Sequence, residues 1–478
     1  MVKQATTFRE FLDVLWENGQ LLEIKDPGDM EPDISAASQA GFNIGENSPA
    51  LMFSNIKGYT SNTKVVTNLV SSWPNMALTF GLDKNTKQLD VYLELLKRWE
   101  KRIPCQWEKS APFQEVVHEG PDLNLFDILP LYRVNMRDGG PYITKGCLIT
   151  RDVSDPDNND KQNVTIMRIQ PQGPDTLGVQ MVIGHDGTNH LQIAEKMGVN
   201  LPVAIAVGVD PCLVQAASAP LPYATNEFEY AGAAMNQPYK VVKSDLTGVD
   251  LPWGAEYIIE GEMIGGVREA EGPFGEFTGY YSGSRKMVTI KVKRIMHRKD
   301  AIYENLMIAR PWNEEDWITA FNNGVVFQQQ LETNFPGQIV AVNAMHAYGL
   351  TVIVSCKPSR GGMAKGIGMR VMTTTHGLVC AKNVIVVDAD VDPFNNNDIW
   401  WALSTNMNPK NDVVVIPNLS GIGLDPASEP AGVTHKLIID ATRPVLPETH
   451  GRYGRPIFWP ETTNEWEGKL KALMGKKG

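Results

Sequence analysis

The sequence has no long apolar run and no excess of positive charge, and each absence excludes a class of protein. Its longest apolar stretch, Leu201–Val207, is far shorter than the roughly 18 residues that a membrane span needs. The first ten residues are polar and contain no apolar signal core, so we expect a cytoplasmic protein. A formal net charge of −11 disfavours binding to nucleic acid or to an anionic membrane surface.

Common catalytic and nucleotide-binding signatures are absent as well. The sequence contains no G-x-x-x-x-G-K-[ST] phosphate loop, no G-x-S-x-G nucleophile elbow and no H-E-x-x-H zinc motif. Its five cysteines are odd in number and form no C-x-x-C pair, which suits a reducing compartment. The functions that these motifs perform are therefore not indicated.

The length and the periodicity of apolar residues predict a mixed α and β protein. A chain of 478 residues predicts roughly three domains of about 150 residues each. Short strands predominate between residues 122 and 305, which favours a barrel or a sandwich, and strands alternate with helices after residue 310. The predicted helices are 8–18, 87–101, 190–197, 230–235, 314–333, 362–375, 398–406 and 463–474, and the predicted strands are 21–24, 146–150, 163–168, 257–264, 287–294, 339–342, 351–354 and 384–387.

The run Glu271-Gly-Pro-Phe-Gly-Glu276 is the most informative local motif. Its glycines and proline make a tight turn between two carboxylates. Carboxylates that are crowded in a dry site raise each other's pKa, and a glutamate can then donate a proton near neutral pH. A solvated surface turn is the alternative interpretation.

A possible ligand set is much less specific. Asn163, His185 and Glu227 offer oxygen and nitrogen donors, but their spacing has almost no specificity as a metal signature. A loop histidine bonded to the backbone is the alternative for His185. For Arg168, at the end of a predicted strand, the alternative is a surface ion pair.

Several segments together point to a known family. They are Phe8-Arg-Glu-Phe-Leu12, Asn124-Leu-Phe-Asp-Ile-Leu-Pro-Leu131, Asp138-Gly-Gly140, Glu271-Gly-Pro-Phe-Gly-Glu-Phe-Thr-Gly279 and Val391-Asp-Pro-Phe-Asn395. Through them, and along essentially its whole length, the sequence resembles the UbiD family of prenylated-FMN-dependent decarboxylases. It is most similar to the non-oxidative hydroxyarylic acid decarboxylases of the 4-hydroxybenzoate and vanillate type.

The resemblance implies an α+β fold with a central split β-barrel that binds the flavin. The implied units are an N-terminal α/β domain at 1–118, the prenylated-FMN-binding barrel at 119–308, a C-terminal α/β oligomerisation domain at 309–458, and a C-terminal helix or tail at 459–478.

The resemblance also assigns roles to single residues. It places Arg168, Glu271 and Glu276 in the catalytic network, where Arg168 orients the substrate carboxylate and Glu276 donates a proton. The implied ligands of Mn²⁺ or Mg²⁺ are Asn163, His185 and Glu227, with Glu229 as the alternative to Glu227 and K⁺ as a further candidate ion. The implied cofactor contacts are Asn163, Thr165, Ile166, Met167, Arg168, His185, Ser218, Glu227 and Lys382, and the implied substrate-pocket residues are Gly184, Phe277, His346 and Tyr348.

The implied activity is that of a carboxy-lyase. The expected reaction is reversible, non-oxidative decarboxylation of an aromatic, phenolic carboxylic acid with release of CO₂. The resemblance further implies a homo-oligomer, a dimer or hexamer, and a separate flavin prenyltransferase that supplies the cofactor. Gly184 stands where similar sequences carry glutamine, which implies a roomier pocket. A carboxylase subunit of a larger complex and a catalytically silent assembly subunit are the two alternatives.

Overall fold

The computed structural model describes residues 2–60, 62–121, 123–182, 184–310, 312–448, 456–457 and 459–474. Within these ranges, no helix is both long and apolar enough to cross a bilayer. The predicted domain limit at 458/459 falls on a residue outside the described ranges, and so do residues 475–478 of the predicted tail.

The N-terminal region consists of short helices around a small sheet. Its elements are α1 (Phe8–Glu17), β1 (Leu21–Ile24), α2 (Asp33–Ile44), β2 (Ala50–Phe53), β3 (Lys64–Thr67), α3 (Trp73–Thr79), α4 (Gln88–Arg98) and β4 (Gln106–Glu108). Helix α1 begins as predicted because the Thr7 hydroxyl accepts the backbone N–H of Glu10 and the apolar residues at helical spacing are buried.

The central region contains most of the strands. Its elements are β5 (Val116–Glu119), α5 (Leu125–Ile128), β6 (Ile143–Arg151), β7 (Gln162–Gly173), β8 (Thr176–Val179), α6 (Asp186–Met197), β9 (Leu201–Val207), α7 (Pro211–Ala217), α8 (Glu227–Met235), β10 (Lys240–Lys243), β11 (Asp250–Pro252), β12 (Tyr257–Glu271), β13 (Arg285–His297) and β14 (Ile302–Glu304), with short 3₁₀ turns at Pro112–Glu115 and Asn159–Lys161.

Six of these strands close into an antiparallel barrel. Their order is β12-β9-β6-β7-β8-β13, and β13 pairs back onto β12 to complete the ring. Strand β13 shows the predicted alternation, because Lys291 and Lys293 are exposed while Ile290 and Val292 are buried. The predicted combination of a central barrel with flanking α/β regions is confirmed.

The remaining strands of the central region form sheets with the barrel or with strands of the N-terminal region. Strand β5 pairs with β13 on the barrel. Strand β14 follows β13 in the chain but is not one of the six barrel strands. It pairs in parallel with β3, so the N-terminal sheet has the order β1-β2-β3-β14. A third sheet joins β4 to β10 and β11. The domain limits at 118/119 and 308/309 remain a proposal.

The C-terminal region is a five-stranded sheet between helices. A π-helical turn, Asp316–Ala320, leads into α9 (Phe321–Glu332), β15 (Ile339–His346), β16 (Thr351–Cys356), α10 (Met363–Met372), α11 (Thr375–Val379), β17 (Asn383–Asp388), α12 (Asn396–Thr405), α13 (Pro409–Asp412), β18 (Val413–Ser420), β19 (Val433–Ala441) and α14 (Thr463–Met474). The strand order is β15-β16-β17-β19-β18. Helices α9 and α10 cover one face and α12 covers the other. Strands β18 and β19 are not predicted by the sequence pattern.

A fully buried lysine joins the three regions. Lys145 of β6 donates from Nζ to Glu304 of β14 at 2.5 Å and to Glu314, just before the π-helical turn, at 2.8 Å. Burial alone lowers the pKa of Lys145, but the two carboxylates outweigh burial and raise it. Glu314 also accepts the backbone N–H of Val70 at 3.0 Å.

Replacing Lys145 by methionine should strongly destabilise the protein. Among the described residues, Lys145 is the only cation paired with these two buried carboxylates, and breaking a buried ion pair from one side costs about 3–5 kcal/mol. We expect a lower urea midpoint for Lys145→Met. Lys57→Met, which removes an exposed lysine paired with Asp29, should leave the midpoint unchanged. Equal stability of the two variants would contradict the role given to Lys145.

Candidate active site

The structure brings Arg168, Glu271 and Glu276 together. Arg168 lies in β7, Glu271 ends β12, and Glu276 lies in the turn that follows. Arg168 Nη2 donates to Glu271 Oε2 at 2.8 Å, and Nη1 forms an ion pair with Glu276 Oε1. All three side chains are buried. A desolvated arginine facing two carboxylates is therefore the electrostatic centre of this site.

A second set of side chains holds this centre in place. The Tyr142 hydroxyl donates to Glu271 Oε1 at 2.9 Å, and burial beside that carboxylate raises the pKa of Tyr142. Arg168 Nη1 donates to the Ser282 hydroxyl at 3.3 Å, and the guanidinium lies 5.2 Å above the Phe274 ring. These contacts thus fix the directions of both terminal nitrogens of the Arg168 guanidinium.

The turn between Glu271 and Glu276 is held by Asp138. Its carboxylate accepts the backbone N–H of Gly275 at 2.8 Å and that of Asn135 at 2.7 Å, and burial raises its pKa to about 6. A Cβ at Gly139 would lie 2.4 Å from the carbonyl oxygen of Gly272, so only glycine allows this approach. The predicted segment 138–140 thus supports the predicted turn.

Two of the three predicted metal ligands are in direct contact. Asn163 Nδ2 donates to Glu227 Oε1 at 3.0 Å, and the Val164 N–H donates to Glu227 Oε2 at 2.9 Å. The remaining oxygen of Asn163, Oδ1, is buried and has no hydrogen-bond partner among the described residues. Burial raises the pKa of Glu227 to about 8. An unpaired amide oxygen beside a buried carboxylate fits a hard divalent cation, which would satisfy both.

The third predicted ligand, His185, immediately precedes α6. The first turn of that helix faces Asn163, because a Cβ at Gly187 would lie 3.7 Å from Asn163 Oδ1. Glu229, the alternative to Glu227, points elsewhere and pairs with Arg102 at 3.4 Å. In the described part of the chain, no three His, Cys, Asp or Glu side chains form a metal cluster, and the predicted trio contains an asparagine.

The other predicted cofactor contacts lie in three places: on β7, at the end of α7 and in the C-terminal region. Thr165 and Ile166 are partly exposed within β7, between the buried residues Val164 and Met167. Ser218 caps α7 and accepts a hydrogen bond from Asn322 of α9 at 2.9 Å, so it lies where the barrel meets the C-terminal region. Lys382 lies in the C-terminal region and donates to Asp425 at 2.7 Å.

The predicted pocket residues come from both sides of that junction. Phe277, directly after Glu276, lies 4.9 Å from the Tyr348 ring, measured between centroids. The His346 ring packs edge-on against Trp312 at 5.5 Å. Gly184 is exposed with a φ of +94°, and no atom lies within 4 Å of a Cβ built there. The aromatic pair therefore connects the turn that carries Glu276 to the C-terminal region.

Three residues of this site are not predicted from the sequence. Tyr142, Ser282 and Glu315 carry no local signal, because their contacts join segments far apart in the chain. Glu315 lies in an acidic run, Glu314-Glu-Asp316, which is typical of the first turn of a helix. One of its oxygens is buried without a hydrogen-bond partner among the described residues.

Three family models match consecutive parts of the chain. They are the N-terminal domain of 3-octaprenyl-4-hydroxybenzoate carboxy-lyase over residues 12–96, the Rift-related domain of the same enzyme over 106–311, and its C-terminal domain over 316–441. The chain belongs to the UbiD family of carboxy-lyases, and the resemblance seen in the sequence is confirmed.

Individual relatives match the chain from end to end. A phenolic acid decarboxylase of Bacillus subtilis (strain 168) is 52% identical over 471 residues, covering 98% of this chain and 99% of the relative. The open form of Sedimentibacter hydroxybenzoicus vanillic acid decarboxylase has a TM-score of 0.90 at 44% identity, covering 99% of this chain and 100% of that one. An evolved dimeric form of the UbiD-class enzyme HmfF from Pelotomaculum thermopropionicum, in complex with prFMN, has a TM-score of 0.81 at 27% identity, covering 96% and 98%.

Adding a methyl group to the turn before Glu276 should be costly. A Cβ at Gly275 would lie 2.4 Å from Asn135 Nδ2, which donates to the Ile308 carbonyl at 2.8 Å. Gly275→Ala should break that hydrogen bond and lower the free energy of unfolding by about 1–3 kcal/mol, measured by urea denaturation. Gly283→Ala is the matched control, because no atom lies within 4 Å of its Cβ. Equal midpoints for the two variants would show that the turn is not closely packed.

Proposed function

We propose that this protein catalyses the reversible, non-oxidative decarboxylation of a phenolic carboxylic acid with prenylated FMN and a divalent metal ion. The buried arginine that faces two carboxylates supports this most directly, because it can hold an anion next to a proton donor. The phenolic acid decarboxylase of Bacillus subtilis supports the substrate class, and HmfF with bound prFMN supports the cofactor.

The chemistry requires a cofactor because no amino-acid side chain can accept the electrons that CO₂ leaves on an aromatic carbon. When bound, prenylated FMN supplies that electron sink. The side chains contribute binding and proton transfer. Arg168 would hold the substrate carboxylate, and Glu276 would deliver the proton that replaces CO₂ on the ring. Glu271, held by Tyr142, would fix the direction of the guanidinium.

The cofactor would be held along β7 and across the junction of the central and C-terminal regions. Asn163, His185 and Glu227 would bind Mn²⁺ or Mg²⁺ against its phosphate, since their oxygen and nitrogen donors suit a hard cation. K⁺ is a further candidate ion. Thr165, Ile166, Met167, Ser218 and Lys382 complete the proposed contacts. A separate flavin prenyltransferase would supply the prenylated flavin.

The substrate ring would lie near Gly184, Phe277, His346 and Tyr348. The contact between Phe277 and Tyr348 supports this location, because Phe277 is adjacent in sequence to the proposed proton donor. A carboxylase subunit of a larger complex would use the same residues in the opposite direction. The complete set of Arg168, Glu271 and Glu276 argues against a catalytically silent assembly subunit.

We also propose that the protein is a homo-oligomer, a dimer or a hexamer. Helix α14 supports this because Trp466, Leu470 and Leu473 expose more than half of their surface at helical spacing on one side. Trp459, just before the helix, is 80% exposed. Burial of these residues against a second copy would remove a sizeable apolar surface from water.

Glu276→Gln should abolish turnover without loss of the cofactor. The amide cannot donate an acidic proton, so we expect turnover of 4-hydroxybenzoate to fall by about 10²–10⁴-fold. The variant is co-expressed with a flavin prenyltransferase, and its flavin absorbance should match that of the wild type. Glu269→Gln, an exposed glutamate on β12, serves as the control. Activity of Glu276→Gln near that of the wild type would exclude the proton-donor role.

His185→Ala should lower both metal and flavin content. Loss of one of three donors weakens the site, and we expect metal affinity to fall by at least about tenfold. Metal per protein is measured by elemental analysis and flavin by absorbance after co-expression with the prenyltransferase. His435→Ala, at an exposed histidine of β19, should change neither value. Unchanged metal in His185→Ala would remove His185 from the ligand set.

A further inference from the structure

Glu315 is a partly buried carboxyl group in the segment that enters the C-terminal region. It immediately precedes the π-helical turn that leads into the C-terminal region. Its backbone is fixed, because the Glu315 N–H donates to Asn313 Oδ1 at 2.9 Å. Its side chain is half-buried, and Oε2 is buried with no hydrogen-bond partner among the described residues. The carboxyl group therefore has an unused hydrogen-bonding atom that is shielded from water.

Glu315 interacts electrostatically with side chains of both the barrel and the C-terminal region. Burial raises the pKa of Glu315 to about 8, Asp316 raises it further and Arg168 lowers it. The charge of Glu315 in turn contributes to the raised pKa of Tyr348, which burial dominates. Glu315 is thus within electrostatic range of Arg168 from β7 and of Tyr348 from the β15–β16 turn.

The segment Ala347–Tyr348 has a strained backbone and is hydrogen-bonded to the residue that follows Glu315. Ala347 and Tyr348 have φ values of +48° and +56°, which side-chain-bearing residues rarely adopt. The Tyr348 N–H donates to Asp316, the neighbour of Glu315. The Tyr348 ring meets Phe277 at 4.9 Å. The segment that carries Glu315 is therefore hydrogen-bonded to the residue whose ring packs on Phe277.

The charge balance of the site favours an uncharged Glu315. Arg168 is already paired with Glu271 and contacts Glu276. A third negative charge would repel the carboxylate of the substrate. A protonated carboxyl group adds no charge and offers both a donor and an acceptor. The group on a phenolic acid that matches such a partner is its hydroxyl.

We propose that Glu315 binds the phenolic hydroxyl group of the substrate and thereby selects hydroxylated aromatic acids over unsubstituted ones. This rests on the proposed function, because it assumes an aromatic acid whose carboxylate lies on Arg168. The hydroxyl would satisfy the unused oxygen of Glu315, while the ring would pack between Phe277 and Tyr348. Glu315 would then be a specificity-determining residue supplied by the segment that leads into the C-terminal region.

The test compares 4-hydroxybenzoate with benzoate. In holoenzyme, the ratio of kcat/KM for the two acids is measured for the wild type, Glu315→Leu and Glu315→Gln. The leucine variant should lower the ratio by about 30–100-fold, since it removes the hydrogen bond to the hydroxyl. The glutamine variant, which keeps a donor and an acceptor, should retain the ratio within about tenfold. It also keeps the test valid if the leucine variant does not fold.

Binding gives a second measurement that does not depend on turnover. Dissociation constants of both acids are determined by calorimetry for holoenzyme carrying Glu276→Gln, with and without Glu315→Leu. Loss of the preference for 4-hydroxybenzoate in the double variant is the expected result. An unchanged preference in both measurements overturns the role of Glu315. Wild-type holoenzyme that turns over no phenolic carboxylic acid contradicts the proposed function instead, and the dissociation constants then still decide the role of Glu315.

Discussion

Closure of the barrel by the pairing of β12 with β13 is the constraint on which the site depends. Without this pairing, β12 would be an open edge, and Glu271 at its end would not be held within hydrogen-bonding distance of Arg168. The closed ring also fixes the start of the turn that carries Glu276. The arrangement of Arg168, Glu271 and Glu276 is thus a consequence of strand register, which a slip of one residue would destroy.

Burial gives the closed barrel its electrostatic character. Arg168, Glu271 and Tyr142 are removed from water, so each charge needs a partner in a fixed direction. The same burial leaves Asn163 and Glu227 with more oxygen atoms than donors. Asn163, near the start of β7, has an Oδ1 atom without a hydrogen-bond partner among the described residues, while Arg168, further along the strand, faces two carboxylates. A buried positive charge is thus maintained locally in a protein whose formal net charge is −11.

Local pattern and family resemblance predict different parts of this molecule. Helix α1 and strand β13 follow from periodicity, because burial repeats at their own spacing. The grouping of Arg168 with Glu271 and Glu276 follows from resemblance alone. The return of β14 to the N-terminal sheet and the contact of Tyr142 with Glu271 follow from neither. Such contacts join distant segments, and no short stretch of sequence records them.

The position of Lys145 limits how relatives of this protein can exchange parts. Its two carboxylates come from a strand of the N-terminal sheet and from the segment that enters the C-terminal region, while the lysine belongs to the barrel. A chimera that grafts one region from another relative must bring a matching partner for this buried cation, or leave a charge unpaired. Exchange of one region of this chain is therefore expected to cost stability unless the incoming region keeps the partners of Lys145.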